Sequence, residues 1–200
     1  MDYPSDIAFT PAVKALQERA GSRHAYARME RDHGWGDVVT EDLKAYVEAQ
    51  TTLFMATANL DGQPYVQHRG GPAGFLHVLD EHTIAFADFT GNRQFISTGN
   101  LQENPKAQLF LMDYAARRRV KIWGEARVVA DDPALVERLM PAGYKARAEQ
   151  AILFTVKAWD VNCPQHIPQL IPAADVVRVL AQKDARIAEL EAELRRVRSR

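Results

Sequence analysis

The chain has 200 residues, 46% of them apolar and 26% charged, with a formal net charge of −1 and one cysteine, Cys163. That length suits one domain with a real core; the near-neutral charge argues against a nonspecific nucleic-acid binder, and a lone cysteine excludes an intramolecular disulfide. No apolar run approaches the roughly 20 residues that span a bilayer, and Met1-Asp2-Tyr3-Pro4 lacks the apolar centre of a signal peptide, so a cytoplasmic protein with no membrane or nucleic-acid partner is expected.

Helical signals dominate residues 1–50. Thr10-Pro11 places a capping hydroxyl before a proline suited to the first helical turn, and Val13, Leu16 and Ala20 follow at helical spacing. Ser22 restarts a helix that ends before Gly34-Trp35-Gly36. Thr40-Glu41-Asp42 caps a third, leading into Leu43, Tyr46 and Val47. This helical segment is expected to pack on a barrel formed by residues 51–160.

Residues 51–160 change to strand-like patterning. Candidate strands run from Thr52 to Ala58, Gln63 to Arg69, Gly74 to Leu79, Thr83 to Ala87, Ala107 to Met112, Val120 to Val129 and Ile152 to Ala158. An Asp61-Gly62 turn joins the first two. Short sequential strands with tight turns favour an antiparallel barrel over a parallel sheet. Two helices interrupt the series, Arg93 to Leu101 and one opened by Asp132-Pro133. Pro164, Pro168 and Pro172 make residues 161–172 an extended loop. Over residues 173–200, Val176, Leu180, Ile187, Leu190, Leu194 and Val197 alternate steps of three and four, with Lys183 breaking the seam. About three heptads place this helix at the lower edge of a coiled coil.

Two segments are ill-suited to packed strands. Gln67-His68-Arg69-Gly70-Gly71-Pro72 is polar, basic and then glycine-rich. Gly91-Asn92-Arg93-Gln94 is a turn with a cation and hydrogen-bonding side chains. A helix starting near Asn92 would aim free N–H groups at an anion, and Arg93 can grip a phosphate through two bonds. An ordinary helix cap is the plainer reading of the same residues. Further on, alternation puts Arg119, Lys121 and Trp123 on one strand face, able to line a polar site for an anionic aromatic ligand.

Other chemistry has little support. Cys163 and His166 lack the further ligands of a zinc site. Ser97 lies in no nucleophile elbow, the glycines lack dinucleotide spacing, and no phosphate-binding Gly-Lys-Ser/Thr loop occurs.

In order along the chain, Asp61-Gly62-Gln63-Pro64, Thr83-Ile84-Ala85-Phe86, Gly91-Asn92-Arg93-Gln94, Asn104-Pro105 and Val120-Lys121-Ile122-Trp123-Gly124-Glu125-Ala126 resemble the pyridoxamine 5′-phosphate oxidase-like superfamily of FMN-binding split β-barrels. The resemblance implies a mainly β fold with flanking helices (α+β): a six-stranded antiparallel split β-barrel over 51–160, N-terminal helices and a long C-terminal helix. It implies FMN as cofactor, with a binding set of Gln67, His68, Arg69, Gly70, Ala87, Asp88, Asn92, Arg93, Gln94 and Arg119. Within that set, Asn92, Arg93 and Gln94 hold the phosphate, and Arg69 or His68 lies near the pyrimidine side of the ring. Arg119 reaches the cofactor across the interface of a homodimer.

This chain has Gln94 where the family pattern has lysine, and a proline-rich loop and heptad helix where the vitamin B6 oxidases grip their substrate. The expectation is therefore an FMN-dependent oxidoreductase acting on an unidentified small molecule, with NAD(P)H a candidate electron donor and His166 a candidate proton donor. The alternatives are a non-catalytic flavin carrier or sensor, a haem-binding split barrel using His68 or His166, and a structural dimer with an empty barrel.

Overall fold

Alternation of apolar and polar residues builds the sheet. The computed structural model describes residues 3–32 and 34–199; Met1 and Asp2 of the N-terminal reading, His33, and Arg200 of the C-terminal helix lie outside them. The strands are β1 (Thr52–Ala58), β2 (Pro64–Gly70), β3 (His77–Asp80), β4 (Thr83–Phe89), β5 (Lys106–Asp113), β6 (Arg118–Val129) and β7 (Ala148–Asn162). They form one sheet in the order β2-β1-β5-β6-β7-β4-β3. The β1–β2, β1–β5, β3–β4, β4–β7 and β6–β7 pairs are antiparallel.

Burial along β1 alternates strictly, with Leu53, Met55 and Thr57 inside. Those first two join Ile84 and Phe86 of β4, Leu109 and Leu111 of β5, Val120 and Ile122 of β6, and Phe154 of β7 in one core. Burying each of these large side chains contributes about 1.5–3 kcal/mol. Strands far apart in the sheet order can share one core only if the sheet curls. Hydrogen bonding between Arg69 on edge strand β2 and Asp88 on β4 shows the same curl closing, because β4 lies next to the opposite edge. The barrel is thus split between β2 and the β3–β4 end.

The outer face of β4 is covered as well. Helix α5 (Pro133–Arg138), capped by the Asp132 carboxylate on the Leu135 amide at 2.8 Å, brings Leu135 and nearby Leu139 onto Ala85, Ala87 and Ala151. Burial on both faces makes Ile84 to Asp88 continuously buried, so alternation fails there.

At the N-terminal end, helices α1 (Pro11–Arg19), α2 (Arg23–Asp32) and α3 (Glu41–Glu48) follow a short 3₁₀ turn at Pro4–Ile7. Thr10 and Thr40 cap α1 and α3 as their sequence predicts. Buried Glu30 accepts from Ser5 Oγ at 3.2 Å and pairs with Arg23, which also donates to Gln17 at 2.6 Å. Trp35 stacks on Trp123 of β6 with ring centroids 4.5 Å apart. Trp159 of β7 donates its indole N–H to the Val38 carbonyl at 2.9 Å. Gly36 passes so close that a Cβ there would lie 2.3 Å from the Trp159 indole, so only glycine fits this crossing.

Several boundaries differ from the sequence reading. The sheet has seven strands, not six, because the short edge strand β3 belongs to it. Strand β3 starts at His77 instead of Gly74, since Phe75 and Leu76 are consecutive buried residues of a turn. Strand β7 runs 15 residues, taking in Val161 and Asn162 from the expected loop, because its ladder continues opposite Val120 and Arg119. Helix α4 (Ile96–Glu103) begins at Ile96 rather than Arg93. Arg93 and Phe95 adopt left-handed backbone angles (φ 57° and 54°) that no α-helix continues.

Residues 113–118 and 164–199 form a second compact unit. In it, the Leu170 amide donates to the Tyr114 carbonyl at 3.3 Å and the Gln169 side chain donates to the Ala115 carbonyl at 3.0 Å. Helix α6 (Ala173–Arg198) completes it. No described helix is long and apolar enough to cross a membrane.

Candidate functional site

The seam of the split barrel holds a polar cleft. It is lined by alternate residues of β2 (Tyr65, Gln67, Arg69), the end of β4, the turn from Thr90 to Phe95, the first turn of α4, and Glu149 and Gln150 of β7. A second, adjoining cavity is lined by Gln67 to Gly70, Phe75, Phe86, Ala87, Phe89 and Gly91. Of the residues expected at a cofactor site, the fold brings together Gln67, His68, Arg69, Gly70, Ala87, Asp88, Asn92, Arg93 and Gln94.

Strand parity explains the arrangement. Asp88 continues the inward set Ile84–Phe86, which buries a carboxylate at the mouth of the barrel. It pairs with Arg69 Nη1 and accepts from Gln150 Nε2 at 2.7 Å. Gln67 Oε1 accepts from Arg69 Nη2 at 3.0 Å and from Ser97 Oγ at 2.7 Å. Gln150 also donates to Thr98 Oγ1 at 3.1 Å. The result is one network across β2, β4, β7 and α4. Burial pulls the Arg69 guanidinium below its usual pKa, while the nearby Tyr65 acts in the opposite direction. Arg69 Nε is buried without a partner, an open donor of the kind that a ligand oxygen or nitrogen would satisfy.

At the other end of the cleft, α4 starts on Phe95 with no side-chain cap, leaving its first N–H groups for an anion. Asn92 does not cap this helix; its Oδ1 accepts from the Gln94 amide at 3.3 Å. Arg93 pairs with Glu149 in the open, the two side chains being 62% and 37% exposed. Such a pair contributes at most about 1 kcal/mol and can be exchanged for a better anion.

His68 is exposed beside Phe54, centroids 5.4 Å apart, and lines only the second cavity. Two expected residues lie elsewhere. Arg119 lies on β6 opposite Asn162 and does not line the cleft. His166 belongs to the second unit, exposed, with φ 64°. The Arg119–Lys121–Trp123 face does not form an open aromatic-ligand site: Trp35 occupies the Trp123 ring, and Lys121 Nζ sits 5.3 Å from that ring's centre. Among the described residues no group of three or more His, Cys, Asp or Glu side chains could hold a metal ion.

Sequence reasoning missed Tyr65, Ser97, Glu149 and Gln150. Tyr65 was recoverable from its period-two relation to Gln67 and Arg69. Gln150 continues the period of Ile152 and Phe154, but polar neighbours hid the start of β7.

A curled antiparallel sheet split at one seam, with the polar cleft in that seam, is the architecture of the flavin-binding split barrels. The chain belongs to the pyridoxamine 5′-phosphate oxidase family, whose model matches residues 39–174. Among solved structures, HupZ of Group A Streptococcus matches with 14% identity over 66% of this chain and 99% of that one, at a TM-score of 0.50. A variant of HupZ matches with 13% identity over 62% and 99%, also at 0.50. An FMN-binding protein from Syntrophomonas wolfei matches with 10% identity over 74% and 97%, at 0.49. Identities this low speak to the fold alone. No curated protein matches the sequence.

Proposed function

We propose that the protein binds FMN in the seam cleft and acts as an oxidoreductase on a small molecule. The observation that carries this reading is the Arg69 guanidinium: buried at the seam, held by Asp88 and Gln67, with one N–H still open. An unsatisfied buried donor costs about 1–3 kcal/mol, and a flavin's polar edge offers acceptors to relieve it. The donor set fits the group at both ends. Gln67, Arg69 and Asp88 hold the polar edge of the ring, while Gly70 and Ala87, which line the adjoining cavity with Phe75 and Phe86, give it an apolar wall.

Asn92, Arg93, Gln94 and the uncapped start of α4 hold the phosphate. A phosphate carries about −1.5 to −2 charges at neutral pH and so outcompetes the single charge of Glu149 for Arg93. When bound, FMN supplies reversible two-electron redox chemistry; the protein supplies position and electrostatics. With FMN bound, the cation at Arg69, held in place by its buried partner Asp88, would favour a negatively charged reduced flavin. Arg119, away from the cleft of its own chain, completes the site from a second copy in a homodimer.

Purified protein tests this directly. Its spectrum should show flavin, released as free FMN on denaturation, and anaerobic NADH or NADPH should bleach it. Colourless protein that takes up no FMN would overturn the reading, and a Soret band would replace it with haem. Bound FMN that no candidate donor reduces would mark a carrier instead.

A further inference from the structure

Helix α6 has no buried described residue, yet Val176, Leu180, Ile187, Leu190, Leu194 and Val197 are all between 43% and 70% exposed. The seam from Val176 to Val197 is about 32 Å long at 1.5 Å per residue. Heptad spacing puts Leu180, Ile187 and Leu194 at a, and Val176, Leu190 and Val197 at d, with Lys183 at the remaining d. Flanking them, Asp184, Glu191 and Arg198 take e, while Val179, Arg186 and Glu193 take g.

The charges on these flanks select an occupant and a direction. In a parallel, in-register pair, each g residue faces the e residue five positions later on the other helix. Arg186 then faces Glu191 of the second copy, and Glu193 faces Arg198, each twice by symmetry. The antiparallel pair that sets Leu180 opposite Val197 brings Arg186 opposite Glu193 but also Asp184 opposite Glu191, so attraction is offset by repulsion. Lys183 gives the same answer. In the parallel pair its ammonium lies beside Asp184 of the second copy, which compensates the two facing lysines. Antiparallel, it packs against Leu194. Within one helix, Arg186 pairs with Glu189 at 2.9 Å and Glu191 with Arg195 at 3.7 Å. These are exposed contacts, easily exchanged.

We propose that α6 forms a parallel, in-register, two-stranded coiled coil with α6 of a second copy of this chain. The pairing is independent of the flavin reading, because the seam lies wholly on α6. A single polar core position and paired e/g charges fix register and strand number at some cost in stability.

The test uses the full chain carrying Cys163→Ser, which removes the only native thiol, and Val197→Cys. Oxidation at low micromolar concentration should link most chains into dimers, because residue 197 meets its counterpart only in the parallel pair. In the antiparallel pair residue 197 lies opposite Leu180, about 25 Å from its counterpart. Absence of linkage overturns the proposal; linkage between chains bearing Leu180→Cys and Val197→Cys separately would establish the antiparallel pair in its place. Arg186→Glu should cut the linked yield about fivefold, and Arg186→Glu with Glu191→Arg should restore it. Failure of the swap to restore linkage would contradict the charge pairing. A dimer held by the barrel alone would show dimeric mass without linkage, leaving the flavin reading standing.

Discussion

Replacing Asp88 with alanine is expected to destabilise the protein by about 3–5 kcal/mol, the usual cost of stranding one partner of a buried ion pair. The Asp88 and Arg69 side chains are only 11% and 13% exposed. Without Asp88, the guanidinium keeps Gln67 alone as acceptor, with its Nε already open. Gln150 loses an acceptor as well. At about 2–4 °C per kcal/mol for a chain of this size, the melting temperature should fall by roughly 6–20 °C in a thermal scan. The double variant Arg69→Met with Asp88→Leu removes both charges and should recover much of that loss, since apolar replacement of a whole buried pair is often neutral. It should nevertheless fail to bind FMN, separating the pair's part in the site from its part in the fold. Equal stability of Asp88→Ala and wild type would mean that the network does not brace the seam.

Gly124→Ala should be comparably damaging for a different reason. Strand β6 shifts register against β7 between Trp123 and Gly124, and a Cβ at Gly124 would lie 2.0 Å from the Thr155 carbonyl and under 3 Å from the Phe154 ring. The obstacle is backbone at the centre of the sheet, so no side-chain rotation relieves it. We expect a loss of at least about 3 kcal/mol, at the upper end for overpacked sites, measured as a lower midpoint in urea. Gly99→Ala is the counterpart: apart from its chain neighbours and the helix's own backbone, no atom lies within 4 Å of its added methyl, and alanine in an exposed helix position should stabilise by about 0.5–1 kcal/mol. A small effect at Gly124 would contradict the bulge and its packing.

The barrel was legible because inward residues such as Leu53, Met55, Leu109 and Leu111 alternate with polar or half-buried ones. Gln67 and Arg69 were legible as candidates because they are polar where a strand should pack. Their partners were harder to see. Asp88 follows four consecutive apolar residues, and only the parity of Ile84 and Phe86 shows that it points inward. Ser97 and Gln150 are single polar residues whose importance comes from tertiary proximity, 30 and 62 positions from the groups they bind. The start of α4 was misplaced because Asn92 has the chemistry of a helix cap, while the left-handed turn through Arg93 and Phe95 has no strong local signature. Trp35 and Trp123 are 88 positions apart, so nothing local showed that the aromatic site on β6 is filled from within the chain.

In the proposed complex the flavin phosphate is held by the Asn92–Gln94 turn and the start of α4, with the ring against Arg69. Titration of the purified chain with FMN and, separately, with riboflavin tests it most directly, because the two ligands differ only in that phosphate. FMN should bind at least about tenfold more tightly, the worth of one charge-assisted contact at 1.4 kcal/mol or more. Arg93→Ala should erase most of the difference, and Glu149→Gln should widen it by freeing Arg93. Equal affinity for FMN and riboflavin, or a preference for FMN that survives Arg93→Ala, would contradict the placement of the phosphate and with it the account of the site.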